Sequence, residues 1–599
     1  MIRFIALSWK PSQTERAEDL SRRVKLDGRK WRCLCDGQGF ALWAIDPHPR
    51  AFQNSDRDKA DGWILGRAFR RGGSADASLT TGQLPEDAGA GRIGNLGKFI
   101  ADWWGCYVLF AGDAANRYVF RDPTGALPCW QIDLEGVKCW FADIGDLKRI
   151  FDPRLTVSKS ALAAHLQLPK LGKAVSCLEQ IEPLLPAAAV PVAQRPSVNP
   201  VFAWDPMRFS AEPVPDLASA KVLVRAAVEE VLSAYSHHFS TPLISVGGLD
   251  SSILWSTAHA LDLQNVRGFS LFSRSARGDE RDYVSALPGQ ERLNFLPMDG
   301  ERIESARVFA PSPTVDPPGF ADLVELSWDR SALSGSSSFD LLIYGVGGDN
   351  VFLQGAGITG ALDYGASKAP LAGIWKAAAD SARYAKRWAP QVIAAALKQR
   401  LRPRTGGLAQ LKAMMPATQD HILDLPVPRT DAVQDSLHPL LRSSMDLPPG
   451  KVMQTLSSCF CASDYFDPWE GEDQVERCEL YLSQPIVEAC LQIPSWLLAI
   501  HGIERGLARL AFADILPDKV VRRMTKGTPE DVYAEFLNRH RPAIHDYLRS
   551  GSLVDEGLLK PDRITDVFGS KSETNFMQRA HPIIQLISLE SWHRHWANS

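Results

Sequence analysis

No stretch of this chain reaches the roughly 18–20 consecutive apolar residues that a membrane-spanning helix requires. The first residues, MIRFIALSWK, hold an apolar run too short for a signal-peptide core and lead into a charged stretch from Glu15 to Arg23. The expected location is therefore cytoplasmic. An excess of charge of either sign is also missing. A formal net charge of -4 over 599 residues selects no partner, and nucleic acid, which would require a strongly basic domain or stripe, is not expected as one. The ten cysteines nowhere form the two-residue knuckle of a zinc site, since Cys33 with Cys35 and Cys459 with Cys461 are each separated by one residue. Scattered through a chain without an export signal, they read as reduced, packed thiols rather than a disulfide framework. No internal repeat is visible.

What is present is an ordinary globular composition, 45% hydrophobic and 23% charged, in a chain too long for one core, because single cores stop growing at roughly 250–300 residues. Two large domains are expected, 1–205 and 206–599. The first reads as strand-rich: WRCLCDGQGFALWAID, DGWILGRAFRR, WWGCYVLFAG and RYVFRDPTG are short apolar or alternating runs punctuated by Gly, Asp and Pro, the pattern of stacked antiparallel sheets. Leu184–Asp205, proline-rich and nearly uncharged, suits an extended linker or a final strand.

Beyond about residue 215 the texture changes. The helical run LASAKVLVRAAVEEVLSAYSHH precedes three buried-strand candidates, Pro242–Val246, Val266–Phe272 and Asp340–Tyr344, with helical runs between them. Such alternation predicts a parallel sheet covered by helices. From Tyr364 onward the chain reads mostly helical, interrupted by Thr405–Gly450, which is read as a flexible insertion. His237 and His238 read as a polar helix end. The basic residues Arg383, Lys386, Arg387, Lys398, Arg400, Arg402 and Arg404 read as a solvated face, with partner docking as the alternative.

The strongest local signal is ISVGGLDSSILWSTAHALD, a strand that runs through a double glycine directly into a helix. Gly247 and Gly248 let the backbone turn sharply and approach a ligand. Free N–H groups at the helix start face that ligand, and Ser251 and Ser252 add hydroxyl donors, so phosphate fits. Asp250 would repel phosphate unless a divalent cation bridged them, and magnesium is the expected bridge. A second strand, DLLIYG, ends in Gly345-Val346-Gly347-Gly348 followed by Asp349. In an open parallel sheet the ligand crevice lies beyond neighbouring strand ends, so Asp250 and Asp349 can face one metal. Near the C-terminus Lys526 precedes a glycine in a basic stretch and could reach phosphates.

In this order the residues resemble the asparagine synthetase and β-lactam synthetase superfamily. Its pyrophosphate loop reads Ser-Gly-Gly-x-Asp-Ser; Gly247, Gly248, Asp250 and Ser251 match, Val246 takes the serine position, and Ser245 is displaced by one. The resemblance implies ATP and Mg2+ as cofactors. It sets Ile244, Leu271, Tyr344 and Gly345 around the adenosine, Asp250 and Asp349 on the metal, and Lys526 as the lysine that stabilises the adenylate. For the fold it implies an α/β and α+β two-domain chain. The first domain would be an Ntn-hydrolase-like αββα sandwich, a degenerate glutaminase. The second would be a parallel-sheet synthetase domain of the adenine-nucleotide alpha-hydrolase type with a helical extension. FRDPTGALPCW resembles the family's amidotransferase segment, but Ile2 stands where a working glutaminase has its cysteine.

Val346 likewise stands where asparagine synthetase has a catalytic glutamate, so a glutamine-dependent asparagine synthetase is the weakest reading. GGDNVF at Gly347–Phe352 and LSQPIVE at Leu482–Glu488 resemble the lasso-peptide macrolactam synthetases. This branch implies adenylation of an Asp or Glu side chain in a short precursor peptide and closure onto that peptide's N-terminal amine. The pathway partners it implies are a leader-peptide-binding protein and a cysteine protease. The general base is not visible; Glu280, also readable as a helix N-terminal carboxylate, and Asp316 are candidates. A groove between the domains, roofed by Thr405–Gly450, is the expected peptide site. The alternatives are a β-lactam-synthetase-like or other small-molecule amide synthetase, and a non-catalytic nucleotide-binding scaffold.

Overall fold

The computed structural model describes residues 2–46, 60–73, 78–167, 174–273, 278–297, 309, 313–318, 339–401, 407, 411, 434–462, 475–525, 527, 530–568 and 580–597. The early strand-rich sequence forms two six-stranded antiparallel sheets. The first runs in the order Glu182–Pro183, Trp130–Leu134, Val137–Phe141, Arg3–Ser8, Phe40–Ile45, Arg32–Gly37. The second runs Val201–Phe202, Ala188–Pro191, Tyr118–Arg121, Trp103–Ala111, Ala60–Arg70, Ser78–Pro85. Leu184–Asp205 is thus no linker, because its strands complete the second sheet.

Side chains alternate between two cores, as a period of two residues requires. Ile2, Phe4, Ala6, Phe40 and Leu42 of the first sheet meet Val108, Phe110 and Val119 of the second in one buried cluster. The opposite face of the first sheet, Ile5, Leu7, Ala41 and Trp43, packs on Leu20 and Val24 of the helix Thr14–Leu26 and on residues of the C-terminal helices such as Phe536, Ile587 and Trp592. The opposite face of the second, Tyr107, Leu109 and Phe120, shares a core with Leu96 and Phe99 and with the helix Leu217–His238. The layers therefore run helix, sheet, sheet, helix, and part of each helical layer comes from the later half of the chain.

That later half contributes a five-stranded, wholly parallel sheet in the order Leu293–Pro297, Arg267–Phe272, Pro242–Ser245, Leu341–Tyr344, Glu476–Glu479. Antiparallel sheets first and a parallel sheet later are compatible with two domains, yet the apolar core is continuous between them. Among the described residues no helix is long and apolar enough to cross a membrane.

Polar groups at the junction are buried and paired. Arg67 of the second sheet donates from Nη1 to Glu476 of the parallel sheet at 2.8 Å, from Nη2 to Asp46 at 3.2 Å, and from Nε to His238 Nε2 at 2.9 Å. His238, expected as part of a polar helix end, is therefore an acceptor buried inside the junction. The motif LSQPIVE lies at the same junction. Gln484 Nε2 donates to Ile100 O at 3.1 Å, and Glu488 receives Trp204 Nε1 and Arg71 Nη2, each at 2.8 Å.

Within Thr405–Gly450, only residues 407, 411 and 434–450 are described, and these are packed rather than loose. Leu437 and Leu441 are buried, and His438 stacks on Phe460 and bonds Pro186 O at 3.0 Å. The apolar surroundings hold the His438 ring neutral, with its pKa down at about 3, burial being the main cause. In the basic run, Arg383 donates to His501 O and Arg400 to Ala369 O, so two of its members work internally; Arg402 and Arg404 lie outside the described residues.

Asp363 shows how one acid organises several helices. It accepts from Gly450 N at 2.8 Å, Lys451 N at 3.0 Å and Ser495 Oγ at 2.6 Å, holding the start of the helix Pro449–Ser458. Burial raises its pKa to about 6 despite those bonds. A carboxyl that binds its proton more tightly when folded makes the fold less stable as pH rises between about 4 and about 6, by about 3 kcal/mol for a shift of about two units. Urea midpoints measured across that range should therefore fall for the natural chain relative to Asp363→Asn, which has no proton to lose. A midpoint difference that moved in the other direction would contradict this.

Candidate functional site

The strand Pro242–Ser245 pairs with Arg267–Phe272 on one side and Leu341–Tyr344 on the other. The chain leaves it toward the first and returns later on the second, so a crevice opens beyond its carboxyl end. The helix Leu249–Ala260 starts there with Gly248 at its N-cap, a residue with no side chain to cap it, so its first N–H groups point toward the crevice end of the strand. Gly248 faces open space, since a Cβ there would meet nothing within 4 Å.

The glycines of the second cluster serve a different purpose. A Cβ at Gly345 would lie 2.8 Å from Ser251 N, and one at Gly348 2.5 Å from Asp250 Cγ. They let the second strand end press against the helix that carries Asp250. Gly347 adds a positive φ of 90° that a side chain would resist.

This close approach brings Asp250 and Asp349 together. A single nitrogen, Arg505 Nη1, lies 2.6 Å from Asp250 Oδ2 and 2.6 Å from Asp349 Oδ1. Arg505 is 5% exposed, adopts a left-handed backbone (φ 53°) and precedes the helix Gly506–Ala511. Burial opposes its charge, but the facing carboxylates outweigh burial and raise its pKa further. Tyr481 fixes the helix from beneath, donating from its hydroxyl to Asp250 O at 2.9 Å.

The remaining expected residues divide. Leu271 and Tyr344 lie with Leu243, Phe269 and Leu342 on the face of the sheet opposite the main core, and Arg477 sits over the Tyr344 ring at 4.6 Å. Ser245 is half-buried at the strand end. The Ile244 side chain is fully buried in the main core, and its backbone pairs with both neighbouring strands. Val246 is buried in the same core. Ser252 is also turned away, 1% exposed, with its hydroxyl on Gly248 O at 2.7 Å. Ser251 accepts from Gly247 N at 2.9 Å, so its oxygen braces the loop from within.

The two base candidates lie in different surroundings. Glu280 lies against Gly247, where a Cβ would approach its Oε2 to 2.4 Å. It pairs with Arg523 and accepts from Gly527 N at 3.0 Å. It stands at the N-cap of Arg281–Val284 without capping it, and instead ties the glycine loop to the segment around Gly527. Lys526 itself lies outside the described residues. The Asp316 carboxylate accepts from Cys177 N at 2.7 Å, among residues of the antiparallel half.

Two acids that share one cation, an uncapped helix start and an open glycine are a set that fits a magnesium-bound triphosphate. Gly348→Ala should displace the Asp250 carboxylate, lower any ATP-driven turnover by about 10²-fold and, by disturbing the buried pair with Arg505, lower the urea midpoint. Gly248→Ala should leave the midpoint unchanged and weaken nucleotide binding alone. Equal effects of the two substitutions on the midpoint would contradict the distinct roles drawn for these glycines.

Fold and site thus define a protein with a glycine-loop crevice on a parallel sheet, fused through a shared core to a pair of antiparallel sheets. Residues 480–594 match the asparagine synthase family model, which supports a relation to the asparagine synthetase superfamily. No curated protein matches the chain. The matched segment includes Tyr481, Arg505 and Lys526 but neither glycine cluster. Arg505 was missed by the sequence reading, which had no local signal to mark it.

Proposed function

We propose that this chain is an ATP-dependent carbon–nitrogen ligase that activates a carboxylate and passes it to an amine. The observation that carries this reading is the convergence of Asp250 and Asp349 on one cation beside an open, uncapped helix start. The match to asparagine synthase over 480–594 suggests the same class. MgATP, when bound, would supply an adenylyl group that makes AMP the leaving group on the carboxyl carbon, with pyrophosphate released, without which carboxylate and amine do not condense usefully in water.

The chain's own residues would bind and orient. Asp250 and Asp349 would hold the metal, the N–H groups following Gly248 would take phosphate oxygens, and Leu271 and Tyr344 would flank the adenosine. Lys526 would face the charge that develops as the carboxylate is activated. We read residues 1–205 as the amidotransferase-like unit, with buried Ile2 in place of a thiol nucleophile, and 206–599 as the amide-forming unit. The amine then comes from the second substrate rather than from glutamine.

For that substrate we infer a short precursor peptide whose Asp or Glu side chain is closed onto its own N-terminal amine, as in lasso-peptide biosynthesis. A leader-binding protein and a cysteine protease would be its pathway partners. GGDNVF and LSQPIVE carry this finer reading. A β-lactam-synthetase-like or other small-molecule amide synthetase would use the same nucleotide residues. The third reading, a nucleotide-binding scaffold without catalysis, draws on one observation: Arg505 already pairs with both acids.

Incubating the full chain with MgATP and the peptide encoded beside its gene separates the three. Pyrophosphate release with loss of one water from the peptide is the expected result. Release only with small amino-acid substrates would favour the second reading, and no release with any substrate the third.

A further inference from the structure

Away from the crevice, three residues from three separate segments bring unlike donor atoms together. His165 comes from the helix Lys159–Gln167, Cys177 from the turn that follows Val175, and Asp316 from the short described segment 313–318. One ring nitrogen, the sulfur and one carboxylate oxygen all lie within 4.8 Å of one another. Two ligands of a tetrahedral zinc ion stand about 3.5 Å apart, given Zn–S of about 2.3 Å and Zn–N of about 2.0 Å. Small side-chain rotations would bring the set to that spacing.

The surroundings hold the three segments in place. Cys177 O accepts from Ser158 N at 2.9 Å, and Val157 bridges to Leu178, fixing the turn against the start of the helix that carries His165. Asp316 Oδ1 accepts from Cys177 N at 2.7 Å, which orients the carboxylate toward the sulfur. Thr314 O receives Trp592 Nε1 at 2.9 Å and Trp596 Nε1 at 3.1 Å, so segment 313–318 is locked to the C-terminal helix Ala580–Ala597.

We propose that His165, Cys177 and Asp316 form a structural zinc site that staples the antiparallel sheets to the C-terminal helices. Thiolate, imidazole and carboxylate are each established zinc ligands, and a mixed S, N, O set suits zinc better than magnesium or calcium, which take oxygen. A thiol nucleophile oriented by a histidine would be the other chemistry for such a trio. Cys177 is only 2% exposed, too buried to meet a substrate as a nucleophile, whereas His165 and Asp316 are half-buried and leave room for water as the fourth ligand of an ion. The buried cysteines Cys129, Cys459 and Cys490 belong to no such group of donors among the described residues.

The test uses the full-length protein, stripped with a chelator and reloaded with Zn2+, its metal counted by plasma mass spectrometry, then with Co2+ as a spectroscopic probe. The expected result is roughly one zinc per chain and a thiolate-to-cobalt charge-transfer band, both lost in Cys177→Ser and in His165→Gln. Cys33→Ser, at an exposed cysteine outside the group, should change neither. Asp316→Asn, which keeps thiol and ring, guards against misfolding and should weaken zinc binding at least about tenfold. A reloaded chain without zinc would overturn the proposal, as would a cobalt–thiolate band that survives Cys177→Ser.

Discussion

Replacing Asp349 by alanine is expected to lower pyrophosphate release by about 10²–10³-fold, the usual cost of removing one group aimed at developing charge in a closed site. Asp250→Ala should lose at least as much. The two variants should differ in stability. Asp349 is 30% exposed at its side chain, and its loss leaves Arg505 paired with Asp250. Loss of Asp250, whose side chain is 9% exposed, removes the more buried partner of a buried guanidinium, and broken pairs of that kind cost about 3–5 kcal/mol. Asp349→Ala should therefore keep a near-natural urea midpoint while Asp250→Ala shows a lower one. If Asp349→Ala retained half of the natural turnover, metal binding by the two acids would be the wrong reading.

The largest stability effect should come from Arg67→Met. Methionine fills much of the same volume, yet it leaves Glu476 and Asp46, both nearly buried, without their cation, and His238 Nε2 without its donor. Breaking one side of a buried network by removing its charge costs about 3–5 kcal/mol. The loss should fall on the junction between the antiparallel and parallel sheets, so protease nicking near the junction should accelerate together with the drop in urea midpoint. A variant as stable as the natural chain would mean that the continuous apolar core alone holds the halves together. The triple replacement Arg67→Met, Glu476→Leu, Asp46→Leu should recover part of the loss, because a buried ion network exchanged as a whole for apolar groups is often close to neutral.

Much of this architecture can be read from local pattern. The helix Leu217–His238 spans the same residues as its apolar periodicity, and three of the five parallel strands fall within a residue of the runs that mark them. Both glycine clusters were legible because strand, glycine and acid follow one another directly. The sequence hid what depends on distant contacts. Glu476–Glu479 is a short, charged strand at the edge of the sheet, where pairing needs no apolar pattern. Ile244 and Ser252 sit in the right motif, but the pleat and the helix turn point their side chains inward. Arg505 reaches the crevice only because the later helices fold back over it, and His238 becomes an acceptor only because Arg67 arrives from another sheet. Glu280 could be read as a helix cap, but its partners Arg523 and Gly527, far along the chain, take its carboxylate instead.

Glu280 also links Gly527 to the glycine loop, since its carboxylate accepts from Gly527 N and stands where a Cβ on Gly247 would have to lie. Arg505 raises the more pointed question of what happens to its charge when a metal enters. A metal ligated by Asp250 Oδ2 and Asp349 Oδ1 would take the oxygens that Arg505 Nη1 now bonds, so metal and arginine would compete for them.

Anomalous X-ray scattering from crystals of the full chain grown with Mn2+ and a non-hydrolysable ATP analogue examines that competition directly. We expect a manganese peak between the Asp250 and Asp349 carboxylates, the triphosphate against the first turn of Leu249–Ala260, and Arg505 moved off both acids. A nucleotide bound elsewhere, or no metal peak with Arg505 still bridging the two carboxylates, would contradict the account.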